Sequence, residues 1–474
     1  MTVEYILQEV TEADQDWQKI LDITGLRNLT SYLRSIKKPN GQVDEIRTKD
    51  YQDHAVFYGI ASKTSRALVG TIFQKDPVIN LPSGLAYASE NIDGNGIGIV
   101  QQSRSVVSDV IRYGRCGLWV DFAQTDGPLS LADQDRYFAT VNHYKPWQIC
   151  NWREQQIGSA VVLTKVVLTE YRTNYGQDGF TQKSEKVYRE LALETDDDGR
   201  LVYLVRIWVN AKQSGTGRQE WVVESETTPT DSTGQPFDAI PFTFVGSENN
   251  DSKIDRAPML DMVNINIGHY RNSADYEDTV FYAGQTQPYM TGATKQYFEM
   301  MNEQEFYIGS RKLMPVPEGG SFGFATPGAN PTVRQAMIDK VELMVAMGAS
   351  FIDHTGAPKT ATQAAGDERA QTSELAVISG NVTDAYRAAL RWAAQFQGTD
   401  EPEFELNDDF SAITATPQML AAWVQGWLQG AIPFSDYVGW LKRNGLVDPE
   451  KTVDQVRVEL EEDQIAAGGG IDTQ

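Results

Sequence analysis

Cysteine is scarce in this chain. Its 474 residues include two, Cys116 and Cys150, outside any C-x-x-C spacing, which excludes a disulfide framework and a cysteine-based metal site. Histidine is nearly as rare: His54, His143, His269 and His354 stand far apart, and none falls in an H-E-x-x-H or other ligand spacing. There is no G-x-S-x-G elbow and no G-x-x-x-x-G-K-[ST] loop, so neither a hydrolase nucleophile nor a packaging-type ATPase is indicated. No apolar run approaches the roughly 18 residues that cross a bilayer. The opening MTVEYILQEVTEADQDW carries acids where a signal peptide would carry Lys or Arg, and the expectation is a soluble intracellular product. Positive charge is also in deficit, with 41 Lys plus Arg against 65 Asp plus Glu and a formal charge of -24. Tight phosphate binding needs clustered cations, so a protein that grips duplex nucleic acid over its whole surface is excluded.

What is present is a succession of amphipathic segments. Residues 13–35 place Trp17, Ile20, Leu21, Leu29 and Leu33 at helical intervals, and a further helix is read from Tyr51 to Phe73. DGNGIGI at 93–99 has the wrong glycine spacing for a phosphate loop, so Gly94, Gly96 and Gly98 read as a flexible turn before a helix. That helix, over 99–115, carries Val100, Val106, Val107, Val110 and Ile111, and CGLWVDF at 116–122 reads as the buried strand after it. Between about 138 and 245 the period becomes that of strands, rich in β-branched and aromatic residues. DDDGR at 196–200 lacks the spacing and terminal Glu of a calcium loop and reads as an Asp-Gly turn.

The pattern changes at 251. Met259, Val263, Ile267, Tyr270 and Ala274 line one face of a long helix, and a Gly- and Pro-punctuated stretch of short strands and loops follows over 284–330. Helix returns at 331–348, with Pro331 near its start and Gly348 near its stop. After ASFIDHTGAPK comes TATQAAGDERAQTSELAVISGNVTDAYRAALRWAAQF, read as one helix from Thr360, where Thr360 and Gln363 form a capping box. Leu375, Ile378, Val382, Ala385, Ala389, Trp392 and Phe396 recur on one stripe of it, the expected packing face. The tail opens with strand-like EPEFELNDDF and continues as two short amphipathic helices around a Gly-Ala-Ile-Pro turn.

This order, carried by IPFTFVG, MLDMVNINIGHYRNSADYEDTVFYAGQTQPYMTG, ELMVAMGAS, the long TATQ…AAQF segment and FELNDDF, resembles the portal protein family of tailed bacteriophages, in the branch defined by a domain of unknown function. The resemblance implies an α+β portal fold. Its parts would be a mixed α/β wing over 1–250, a first stem helix over 251–283 and a clip domain over 284–330. A second stem helix over 331–349, a tunnel loop over 350–359, a long wing helix over 360–400 and a helical crown-like region with a tail over 401–474 would follow. It implies a dodecameric ring at a unique capsid vertex of the virion, assembled in the host cytoplasm, through which double-stranded DNA is packaged and ejected without sequence recognition. The implied partners are further copies of the chain, the terminase large subunit, the major capsid protein and a head-completion or tail adaptor protein, with scaffolding protein a further candidate. Asp353, His354, Gly356 and Lys359 would lie in the tunnel loop, and Arg311, Lys312 and Glu318 on the clip docking surface. Neither enzyme chemistry, metal, cofactor nor membrane is implied. A plain surface turn for 351–359 and ordinary solvated charge for the clip residues are the competing readings. Another ring-forming head-tail connector or minor capsid protein is the alternative for the whole chain, with a soluble enzyme ranked below it.

Overall fold

The computed structural model describes residues 3–122, 137–176, 178–212, 219–285, 287–302, 316–325, 331–351, 373–408, 410, 433–443, 451–453 and 455–458. The chain divides into two compact units, both built from separate stretches of sequence. Residues 1–7, 67–255 and 351–474 form the first, and residues 8–66 and 256–350 the second. The N-terminal 250 residues are therefore shared between the two.

The first unit, which opens with the short strand β1 (Val78–Asn80), is organised around helix α4 (Ile99–Tyr113) and strand β2 (Arg115–Phe122). Val106, Val107, Val110 and Ile111 are buried, and Gly114 ends the helix in the left-handed region, its N–H donating to the Val110 carbonyl. Strand β2 then runs buried from Arg115 to Val120, central in an antiparallel sheet ordered β3-β2-β9, with β3 at Ala139–Tyr144 and β9 at Phe242–Gly246. Helix α8 (Glu374–Gln397) packs on this sheet and on α4. Leu375, Ile378, Val382, Ala385, Ala389 and Phe396 are buried as their spacing predicts, while Trp392 is half-buried. The buried side is broader than one stripe, since Tyr386, Leu390, Ala393 and Ala394 join it. Tyr386 donates its hydroxyl hydrogen to Gln102 Oε1 at 2.9 Å, and Gln102 Nε2 donates to the Val141 carbonyl, so a buried polar chain links α8, α4 and β3.

The helix expected from Thr360 is corrected at its start. Ser373 has extended backbone angles, φ -65° and ψ 150°, and its hydroxyl accepts from Ala376 N, so α8 begins after a Ser N-cap and is not the continuation of an element from 360. Thr360 and the polar face upstream of Ser373 lie outside the described residues.

The strand-rich region forms an antiparallel five-stranded meander, β4 (Ile149–Ile157), β5 (Ala160–Tyr175), β6 (Gln182–Thr195), β7 (Leu201–Lys212) and β8 (Gln219–Thr227). DDDGR is the β6–β7 turn: Gly199 has φ 77°, and Asp196 Oδ1 accepts from the backbone N–H of Asp198 and Arg200. The glycine loop before α4 is tied down where the sequence predicts a flexible turn. Asp93 Oδ1 accepts from Asn95 N and Ile97 N, Asn91 Oδ1 accepts from Gly96 N, and Gly94 and Gly96 have φ 78° and 87°. A Cβ on Gly98 would fall 2.2 Å from the Ser89 carbonyl oxygen, so that glycine is fixed by a close backbone approach.

The second unit is helical. Helix α5 (Leu260–Gly284) is its axis, packed by α1 (Gln8–Gly25), α2 (Glu45–His54) and α7 (Pro331–Ser350). Met262, Val263, Ile267, Tyr270 and Ala274 are buried, and Tyr270 and Ala274 meet Leu33 and Tyr51 in one apolar cluster. The helix read from Tyr51 to Phe73 is broken in two, α2 and α3 (Ile60–Ile72), because α5 competes for the backbone between them. Ser273 Oγ donates to the Val56 carbonyl at 2.7 Å, Asn266 Nδ2 donates to the Tyr58 carbonyl at 2.8 Å, and Asn266 Oδ1 accepts from Ala61 N at 3.0 Å. The segment read as a helix over 13–35 likewise ends at Gly25, after which Leu26 and Asn28 take positive φ. Among the described residues no helix is long and apolar enough to cross a membrane.

Candidate functional site

The stretch of most interest begins at α5 and runs through a small β-hairpin to α7 and α8. Strand β10 (Gln287–Met290) pairs antiparallel with β11 (Phe322–Ala325), and a short helix, α6 (Lys295–Asn302), lies between them in sequence. The hairpin leads back through a Pro317–Gly320 turn, in which Gly320 N donates to the Pro317 carbonyl and Gly319 has φ 73°. A Cβ on Gly320 would meet the Thr291 carbonyl oxygen at 2.3 Å, so close strand approach requires glycine there. Glu318 is exposed in that turn. Arg311 and Lys312, expected beside it, lie outside the described residues, so the three are not brought together as a described surface.

Helix α7 turns an apolar side outward. Ile338, Leu343 and Val345 are exposed, Val345 to 62%, whereas Met337 and Met344 are buried. Helix α5 likewise exposes Val280 and Phe281 near its C-terminal end, and Tyr289 and Phe324 stand exposed on the hairpin.

Inside the α5–α7 pair sits His269. It is fully buried, its ring lies 4.8 Å from that of Tyr58, and neither ring nitrogen has a hydrogen-bond partner. Burial, and then the charge of Lys340 on α7, push its pKa below the ordinary 6.5. A histidine whose folded pKa is lowered gives full stability above its unfolded value and loses it as pH falls through that value toward the folded one. Unfolding measured between pH 7.5 and 5 should therefore show wild type losing ground to a His269→Leu variant below about pH 6.5. Asp121, whose carboxyl burial raises to about 6, has the opposite sign in an overlapping window, so the difference between the two proteins is the readout. A constant difference across the range would show that His269 does not titrate in folding.

The connection after α7 leaves and returns at one point. Leu375 N donates to the Phe351 carbonyl at 3.2 Å, so the residues on either side of 352–372 are hydrogen-bonded together. Asp353, His354, Gly356 and Lys359 all fall within that stretch and lie outside the described residues. The expected end of the loop at 359 also lies outside the described residues, and the next described helix starts after Ser373. Among the described residues no group of three or more His, Cys, Asp or Glu is placed to hold a metal ion.

The segment from just before α5 to the end of α8 coincides with a family model, the domain of unknown function DUF4055, which matches residues 258–397. The match covers less than half of the chain. Its bounds are close to those of the stretch whose quoted motifs carry the resemblance to portal proteins. No curated protein sequence matches the chain. Among solved structures, a chain described as part of the virion of a native gene transfer agent particle is similar at 13% identity, covering 87% of this chain and 95% of its own, with a TM-score of 0.35. A chain from the neck of an empty gene transfer agent particle computed with C6 symmetry is similar at 12% identity, covering 87% and 96%, with a TM-score of 0.36. The matched stretch thus runs through α5, the β10–β11 hairpin, α7 and α8, drawing on both compact units.

Proposed function

We propose that this chain is a portal protein: copies of it form a ring at a unique vertex of a phage-type capsid, enclose the channel for double-stranded DNA, and present a docking platform to the packaging terminase and head-completion proteins. The observation that carries the reading is the order of elements in the stretch that the DUF4055 model matches, a long helix, a small hairpin region, a second helix and a third helix. The outward apolar side of α7 supports assembly, since Ile338, Leu343 and Val345 gain from burial against another copy. The acidic balance supports a channel that repels the phosphate backbone and does not hold it. In this reading Asp353, His354, Gly356 and Lys359 line the constriction, Arg311, Lys312 and Glu318 face the motor or adaptor, and the protein performs no catalysis.

Light scattering and negative-stain imaging of the full chain test this directly. A closed ring with an axial opening wide enough for duplex DNA is the expected particle, and a stable monomer at assembly concentrations would overturn the proposal. Replacing Leu343 and Val345 together by glutamate should leave the fold intact, because both side chains are exposed, yet shift the particle to monomer. Rings of unchanged mass would remove α7 from the subunit contact.

A further inference from the structure

Helix α7 is held on α5 by little. Met337 and Met344 are the two side chains of α7 that are buried, and the helices approach closely at glycines. A Cβ on Gly268 would fall 3.3 Å from Lys340 Cε, and one on Gly348 would fall 3.8 Å from Met262 Cε. Lys340 is half-buried across that approach. With the Asn272 amide nitrogen donating to the Gly268 carbonyl at 3.2 Å, its oxygen accepts from Lys340 Nζ at 3.3 Å. The α2–α3 connection is tied to α5 more firmly, by three hydrogen bonds from Asn266 and Ser273.

His269 follows Gly268 and has no solvent exposure, and neither Nδ1 nor Nε2 has a hydrogen-bond partner among the described residues. A neutral ring tolerates this site, but a charged one does not, because a buried cation needs an acceptor or an anion beside it. Of the elements around it, the α2–α3 connection presents the Tyr58 ring and α7 presents the ammonium of Lys340. Among the described residues no charged group of α1, α2 or α3 acts on the imidazole. A second proton on His269 therefore meets a like charge and no carboxylate. His54 on α2 makes the contrast: its Nδ1 lies 3.6 Å from Asp278 Oδ1, so a proton there finds an anion.

We propose that α7 is an acid-sensitive strap: a proton taken up by the buried His269 sets two cations against each other across the Gly268 approach, and α7 leaves α5 while the α2–α3 connection stays. Movement of α7 relieves the charge twice over, since it separates the imidazolium from Lys340 and admits water to the ring. It is α7 that yields because two buried methionines hold it, whereas the connection keeps its hydrogen bonds to Asn266 and Ser273. Burial and Lys340 hold the imidazole below its ordinary 6.5 while the helices are packed, and it returns toward that value once they part. Opening is thus unaffected well above pH 6.5 and favoured below it, by about tenfold at pH 5.5. The device lies within one unit of one chain and does not rest on ring formation.

The test is hydrogen–deuterium exchange of the full chain read by mass spectrometry, with wild type and His269→Leu compared at equal pH so that the intrinsic pH dependence of exchange cancels. For peptides of α7, the ratio of wild-type to variant rates is expected to be about tenfold larger at pH 5.5 than at pH 7.5, with no such rise in α2. His269→Gln, neutral and polar, serves in its place if leucine disturbs the packing. Lys340→Glu puts a carboxylate opposite the imidazole and should cut the rise to about twofold or less, whereas His54→Gln should leave it intact. The same comparisons are made with Leu343→Glu and Val345→Glu together, so that a second copy lying on α7 does not hide the release. An α7 ratio that is the same at both pH values, an equal rise in α2, a full rise in Lys340→Glu, or loss of the rise in His54→Gln would overturn the proposal.

Discussion

Asn266→Leu is expected to destabilise the second unit by about 2–5 kcal/mol, because the substitution strands two buried backbone groups at once. The Asn266 amide is the partner of the Tyr58 carbonyl and the Ala61 N–H, at 2.8 and 3.0 Å, and is itself fully buried. Leucine has nearly the same volume and leaves the apolar contacts in place, so the loss reports on hydrogen bonding and not on a cavity. Urea unfolding of the full chain reads the effect as a lower midpoint for the unit that contains α5. A midpoint equal to that of wild type would mean that the α2–α3 connection finds other partners and that Asn266 does not set the break.

The second large effect is expected at Asp109, near the middle of α4. Its carboxylate is almost fully buried, with Lys145 Nζ at 2.7 Å and His143 Nε2 at 3.2 Å on the same oxygen. Burial alone would raise its pKa, but hydrogen bonding and charge from His143 and Lys145 outweigh burial and hold the carboxyl below the usual 3.8. Asp109→Ala leaves the Lys145 charge without its partner and should cost about 3 kcal/mol, toward the lower end for a broken buried pair because Lys145 reaches water. The pH dependence has a definite sign. A carboxylate with a lowered folded pKa contributes stability that is present above its unfolded value and lost as pH falls below about 4. The gap between wild type and Asp109→Ala should therefore be wide at pH 7 and narrow at pH 3; a gap of constant width would show that packing, not the ion pair, is what the mutation removes.

Elements whose reasons are local are legible in the sequence. Helix α4 and strand β2 follow from a valine stripe and an apolar run after it, and α8 follows from its three-and-four spacing. The face of α5 is legible from Val263, Ile267, Tyr270 and Ala274. Where the reasons are distant in sequence, the reading fails. Nothing near residue 57 announces a break, because the groups that hold it open, Asn266 and Ser273, come more than two hundred residues later. A serine at 373 inside an apparently continuous helical pattern carries no sign that its hydroxyl will cap a new start. The candidate site divides in the same way. The apolar stripe of α8 is legible as packing, whereas the exposure of Ile338, Leu343 and Val345 on α7 emerges only from which residues of that helix pack on α5. No alternation of residue types encodes that difference.

The discontinuity of the second unit bears on how the chain reaches its fold as it is made. Residues 8–66 supply α1, α2 and the start of α3, but the helix they pack around begins at Leu260. At about 5–20 residues per second, the ribosome needs roughly ten to forty seconds to add the stretch between them. For that interval Trp17, Ile20, Leu33 and Tyr51, all buried in the finished protein, have no α5 to cover them. Residues 67–255, which carry α4, β2 and the whole five-stranded meander, emerge meanwhile and can collapse as local hairpins. The early helices are thus the part of the nascent protein most exposed to premature self-association, and the part for which a chaperone that shields short apolar helices would matter most.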